Sequence, residues 1–71
     1  MTRLTFKKEL YVAAALEQAV TAFEAHAKLS RSETPVEWHV DVQADSDEAL
    51  IADELANYVL GVTIEERGAA S

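Results

Sequence analysis

From Val36 to Asp45 the chain alternates without a break, with Val36, Trp38, Val40, Val42 and Ala44 on one side and Glu37, His39, Asp41, Gln43 and Asp45 on the other. A period of two is that of a β-strand with one face towards a core and one towards water. The alternation predicts a strand over about residues 36–44. It also demands that some other element cover the Trp-Val-Val face.

The remaining segments supply that cover. Leu4 and Phe6 alternate with Arg3, Thr5 and Lys7, which predicts a second strand over 3–7. From about residue 12 to 29 the period changes, and Val12, Leu16, Ala19, Val20, Phe23 and Ala27 recur at spacings of three and four, the pattern of an amphipathic helix. Ala14, Ala22 and Ala25 lie on its other faces, where they either let a second helix approach closely or simply favour helix. Residues 30–35 are polar and end in Pro35, which cannot continue a helix, so they read as a loop. Ser46 offers an N-cap, with Asp47 and Glu48 placing negative charge on the positive end of a helix dipole. The second helix is expected over 47–66, with Leu50, Ile51, Leu55, Tyr58, Val59 and Val62 as its apolar stripe and Asp53, Glu54 and Asn57 towards water. Gly61 could end it and release Val62-Thr63-Ile64 as a strand, but no Pro or turn cluster follows, which favours one continuous helix and a frayed tail over 67–71.

The expected fold is therefore α+β: one small β-α-β-α domain, a two-stranded sheet under two helices. A strand-helix-strand crossover between adjacent strands makes them parallel. Arg3 and Lys7 on one strand would then stand beside Glu37 and Asp41 on the other, which helps register more than stability. Two strands make a poor sheet. With 71 residues and no cysteine, a domain of this size hides only about 60% of its unfolded surface and lacks a disulfide to support it. Dimerisation or a partner's added strand is the expected completion.

Charge narrows the partner. The net charge is −7, with residues 1–32 contributing +2 and residues 33–71 contributing −9. Such a surface disfavours direct nucleic-acid binding and suits either plain solvation or a basic partner. The opening residues lack the apolar stretch of a signal peptide and no long apolar run follows, so the reading is a cytoplasmic protein with no membrane segment.

Catalytic chemistry finds little footing in this chain. His26 and His39 are the two histidines, and no short metal-ligand spacing joins them. The serines and threonines fall in loops, caps or strand edges, without a base expected beside them, and two glycines cannot build a phosphate loop. No catalytic, cofactor or metal residue is assigned. The residues with the means to bind are Arg3, Lys7, His39 and Asp41 on the polar sheet face, and Trp38 and Tyr58, whose periods suit a core better than an interface. Tyr11 would close the corner between first strand and first helix.

The segment Phe6-Lys7-Lys8-Glu9-Leu10-Tyr11, the helix with Ala15-Leu16-Glu17-Gln18-Ala19 and Phe23, the strand Val36–Val42 and the helix Leu55-Ala56-Asn57-Tyr58-Val59-Leu60 together resemble the small HxsD-like proteins of the His-Xaa-Ser peptide-modification system. The likeness spans about residues 3–67; Gly61 stands where those proteins usually carry an acidic residue. It implies an accessory protein acting beside radical-SAM enzymes that modify a ribosomal peptide, with no catalytic residues to carry over.

The expected function is thus a non-catalytic accessory or adaptor protein binding a peptide or partner enzyme, as a homodimer or in a heteromeric complex and without a cofactor. One alternative is an acidic regulator or inhibitor, of the antitoxin or nucleic-acid-mimic kind, that covers a basic surface. Another is a small metal-binding or enzymatic subunit using His26, His39 and carboxylates.

Overall fold

The computed structural model describes residues 1–70, with side chains through Gly68. Its elements are β1 (Thr2–Lys7), α1 (Ala13–Phe23), β2 (Lys28–Glu33), β3 (Glu37–Gln43) and α2 (Glu48–Ala70). The alternating segment is β3, and it is the middle strand of a three-stranded sheet in the order β1-β3-β2. Both neighbours run antiparallel to it.

Two expectations are corrected here. The order is β-α-β-β-α, not β-α-β-α, and the sheet has three strands, not two. Residues 28–33, read as helix end and loop, are a strand. Their sequence Lys-Leu-Ser-Arg-Ser-Glu has one apolar residue, so nothing local calls for a strand; the ladder along β3 and the seating of Leu29 opposite Val42 supply the gain. β2 also reverses the chain. That makes β1 and β3 antiparallel neighbours, where the crossover rule alone would have made them parallel.

The β2–β3 hairpin turns at Pro35 and Val36. Thr34 donates its N–H to the Glu37 carbonyl at 2.8 Å, and its hydroxyl accepts from the N–H groups of Val36 (3.3 Å) and Glu37 (3.0 Å). Pro35 does break the helical pattern, but as a hairpin apex and not as a linker.

Helix α1 ends at Phe23, well before residue 29, and the Glu24 and His26 N–H groups close the following turn on the carbonyls of Val20 and Phe23. Its buried residues are Ala15, Leu16 and Ala19; Ala14, Ala22 and Ala25 are exposed, so the buried alanines are not the three that the sequence offered for close helix approach. At its start, Val12 has no capping side chain of its own, and its N–H is directed at the Thr63 hydroxyl of α2, 3.4 Å away. Tyr11 does turn the corner, meeting Phe6 edge-on at 5.2 Å.

Helix α2 is continuous through Gly61 and extends over the expected tail as far as Ala70; Ser71 lies outside the described residues. Its 23 residues span about 34 Å, most of the 41 Å long dimension of the molecule. The start differs by one residue from expectation. The helix begins at Glu48, so the position before it falls to Asp47, in the left-handed region at φ 57°, and not to Ser46. Aspartate tolerates that conformation better than most residues. Glu48 then ties the sheet to the helix, accepting from the Ala44 N–H at 3.2 Å and the Thr2 hydroxyl at 2.8 Å, with the Met1 amino group 3.2 Å away.

The core lies between the sheet's inner face and the two helices. It comprises Phe6, Val40 and Val42 from the sheet, Ala15, Leu16 and Ala19 from α1, and Ala52, Leu55 and Val59 from α2. Helix α1 packs along α2, while α2 lies over β1 and β3. The buried stripe of α2 is Ala52, Leu55, Val59 and Thr63, rotated from the expected one: Leu50 is 56% exposed and Tyr58 38% exposed. The difference is measurable. Leu55→Ala should lower stability by about 2–5 kcal/mol, and Leu50→Ala should stay within about 0.5 kcal/mol of wild type, both read from urea unfolding; equal losses would restore the stripe read from the sequence.

Candidate functional site

The sheet's outer face carries no helix. Its register sets Arg3 opposite Asp41, Thr5 opposite His39 and Lys7 opposite Glu37, with Ser30 and Ser32 of β2 completing the rows of Asp41 and His39. Acid on the central strand and base on β1 thus alternate across the sheet. The expected opposition of Arg3 and Lys7 to Glu37 and Asp41 is present, by antiparallel pairing.

Arg3 grips Asp41 with two bonds, Nε to Oδ1 at 2.8 Å and Nη2 to Oδ2 at 3.1 Å. The guanidinium bonds hold the Asp41 carboxyl below its ordinary pKa. His39 sits beside this pair, its side chain 16% exposed. Its Nδ1 is 3.2 Å from the Thr5 hydroxyl, and its Nε2 is 3.6 Å from the Glu37 carboxylate. A hydroxyl, an imidazole and a carboxylate in series is the arrangement of an activated nucleophile. Here it lies on an open sheet face, the Glu37 contact is too long for a hydrogen bond, and all three residues occupy ordinary register positions. The arrangement can recognise polar groups.

The structure brings Arg3, His39 and Asp41 together and places Lys7 at the end of the same face. Trp38 and Tyr58 are elsewhere. Trp38 is half-buried on the opposite, inner face, where the Lys8 ammonium lies 5.5 Å from its ring centre and pairs with Glu33. Tyr58 stands on α2 and meets Phe23 of α1 edge-on at 5.8 Å. His26 lies in the exposed turn after α1, on a different part of the molecule from His39. Among the described residues no three His, Asp or Glu side chains gather as a metal site would require. No helix among them is long and apolar enough to cross a membrane.

The free sheet edge that the sequence predicts, without its place, includes the outer edge of β1. Lys8 donates its N–H to the Val36 carbonyl at 2.9 Å, in register with the β1–β3 ladder. Backbone direction alternates along an antiparallel strand. Thr2, Leu4 and Phe6 therefore face β3, and the N–H and C=O groups of Arg3 and Thr5 and the N–H of Lys7 face outwards, where no described strand pairs with them; the Lys7 carbonyl is taken by the Leu10 (3.0 Å) and Tyr11 (3.1 Å) N–H groups. Above this edge lies one flank of α2. Residues two apart on a helix are separated by about 160°; Tyr58 marks the flank on α1, and Leu60, 45% exposed, therefore marks the flank away from it, which also carries Arg67, bonded to the Glu9 carbonyl just beyond β1. The opposite sheet edge is different: the inner-face side chains of β2 include Arg31 and Glu33, charges of the kind that discourage strand addition. Reading Lys28–Glu33 as a strand was the step needed to see that β1 and not β3 is an edge.

Comparison with protein-family models, with curated proteins and with solved structures found no match.

The lowered Asp41 pKa fixes the sign of a pH effect. A carboxyl whose folded pKa lies below its unfolded value contributes stability fully above the ordinary carboxylate pKa, about 4, and loses it as pH falls through the lower folded value. Asp41→Asn should accordingly have a lower urea midpoint than wild type at neutral pH, and the two should converge in acid. A gap that persists undiminished at about pH 2 would mean that Asp41 acts by packing and not through its charge.

Proposed function

We propose that the protein is a non-catalytic accessory subunit that binds a peptide or a partner enzyme, acting in the cytoplasm. The observation that carries this reading is the uncovered β1 side of the sheet, where unpaired backbone groups, a polar outer face and the exposed Leu60 adjoin. Strand edges of this kind are where extended peptides attach. The resemblance to HxsD-like proteins supplies a setting, the maturation of a ribosomal peptide beside a radical-SAM enzyme. A homodimer is not needed for stability in this account, since a three-stranded sheet packed against helices can stand alone.

The test is a titration of the isotope-labelled protein with the modifying enzyme and the precursor peptide encoded beside it. Amide shifts should concentrate on β1 and its flank of α2. If neither binds, the accessory reading fails.

A second reading has its own support. On α2, Leu50 and Ile64 are exposed among Asp53, Glu54 and Glu65, a mixed apolar and acidic surface that would fit a basic partner, as in an acidic inhibitor. Binding there should weaken steeply as salt rises from ~0.05 to 0.5 M, with shifts on the outer face of α2. Strand docking should weaken much less.

A further inference from the structure

We infer that the β1 edge takes an extended peptide in which acidic and apolar residues alternate, added antiparallel to β1 as a fourth strand. This rests on the accessory reading and names the chemistry of its partner. Antiparallel addition follows the ladder that β1 already makes with β3 and is the more stable pairing per residue.

Three features of the edge select the sequence. Its free backbone groups are the N–H and C=O of Arg3 and Thr5 and the N–H of Lys7, residues whose side chains lie on the outer face; the Lys7 carbonyl already accepts from the Leu10 and Tyr11 N–H groups. A residue directly opposite each would place its side chain beside that cation or hydroxyl. Charge changes sign from the acidic central strand to the basic β1, and an acidic residue opposite Arg3 and opposite Lys7 continues the alternation; like charges there would be unfavourable. On the inner face, the intervening residues would lie beside Leu4, which is only partly buried, and under Leu60, which is 45% exposed. Apolar side chains there would finish covering both.

The same features argue against a second copy of this chain as the occupant. Two β1 edges paired antiparallel about Thr5 would set Arg3 of each against Lys7 of the other, cation facing cation. A basic strand meets the same objection.

The probe is a synthetic peptide, Val-Glu-Val-Thr-Val-Glu-Val, whose side-chain order reads the same from either end, so that the methylation pattern alone reports its direction. Its binding would be measured by amide shifts and by fluorescence anisotropy, against a version with Lys in place of Glu. The Glu peptide should bind and the Lys peptide should bind about tenfold more weakly or not at all. In this register the Glu and Thr amides point at β1 and the Val amides point away. N-methylation of the central Thr should weaken binding by about tenfold or more, and N-methylation of a neighbouring Val should do little. Thr5→Pro, which removes the outward N–H from the protein's side, should mimic the first effect; should that variant fail to fold, the methylated peptides decide alone.

Equal binding of the Glu and Lys peptides, equal effects of the two methylations, or no binding of the Glu peptide would each overturn the inference. The accessory reading is judged separately, by the enzyme and precursor. Their binding alongside failure of the Glu peptide removes the strand and keeps the subunit; the converse removes the accessory role and keeps the edge.

Discussion

Val40 and Val42 are fully buried, and β3, which carries them, has a hydrogen-bonded neighbour on each side. Most of the molecule follows from that strand. Its inner face needs an apolar cover, which α2 supplies with Ala52, Leu55 and Val59 and α1 extends with Ala15, Leu16 and Ala19. Its backbone needs partners on both edges, which β1 and β2 supply. Its outer face carries Glu37, His39 and Asp41, and the neighbouring strands answer with Lys7, Thr5 and Arg3 on one side and serines on the other. With β3 satisfied, the open backbone groups are passed outwards to β1 and β2.

The two edges are not equivalent. β2 carries Arg31 and Glu33 towards the helix side, so a strand laid against it would meet charge where it should meet core. β1 carries Leu4 and Phe6 there, under α2. The connections add to this asymmetry. Glu48 holds the start of β1 to the start of α2, and Arg67, near the other end of α2, donates to the Glu9 carbonyl at 3.0 Å just beyond β1. β1 is thereby fixed at both ends against the long helix while its outer side is left open. A binding edge has to be rigid to avoid the cost of ordering on contact, and these two ties provide that rigidity.

What the residues disclosed follows from how local each signal was. The alternation of Val36–Asp45, the short strand of Leu4 and Phe6 and the long run of α2 through Gly61 are patterns within single segments, and they reappear in the structure within a few residues of the expected bounds. β2 was hidden because its one apolar residue, Leu29, gives no period, and because the helical spacing runs on past Phe23 to Ala27. Its stability lies in a ladder with a strand several residues away, which no local pattern records. The rotation of the α2 stripe has a related cause: Leu50 is as apolar as Leu55 and Tyr58 carries an apolar ring, and only the positions of the sheet and α1 decide which of them faces inwards. Thr63 was passed over because a threonine reads as polar; buried, it holds the start of α1 through Val12. For the candidate site, the charges on β1 and β3 and the need for a free edge were legible, but which edge is free was not, since it depends on strand order.

Amide hydrogen exchange in the free protein tests the central arrangement most directly. The Leu4 and Phe6 amides, which face β3, should exchange slowly, and those of Arg3, Thr5 and Lys7, which face the open edge, should exchange orders of magnitude faster. Uniform protection along β1 would contradict it, because the edge would then already be paired.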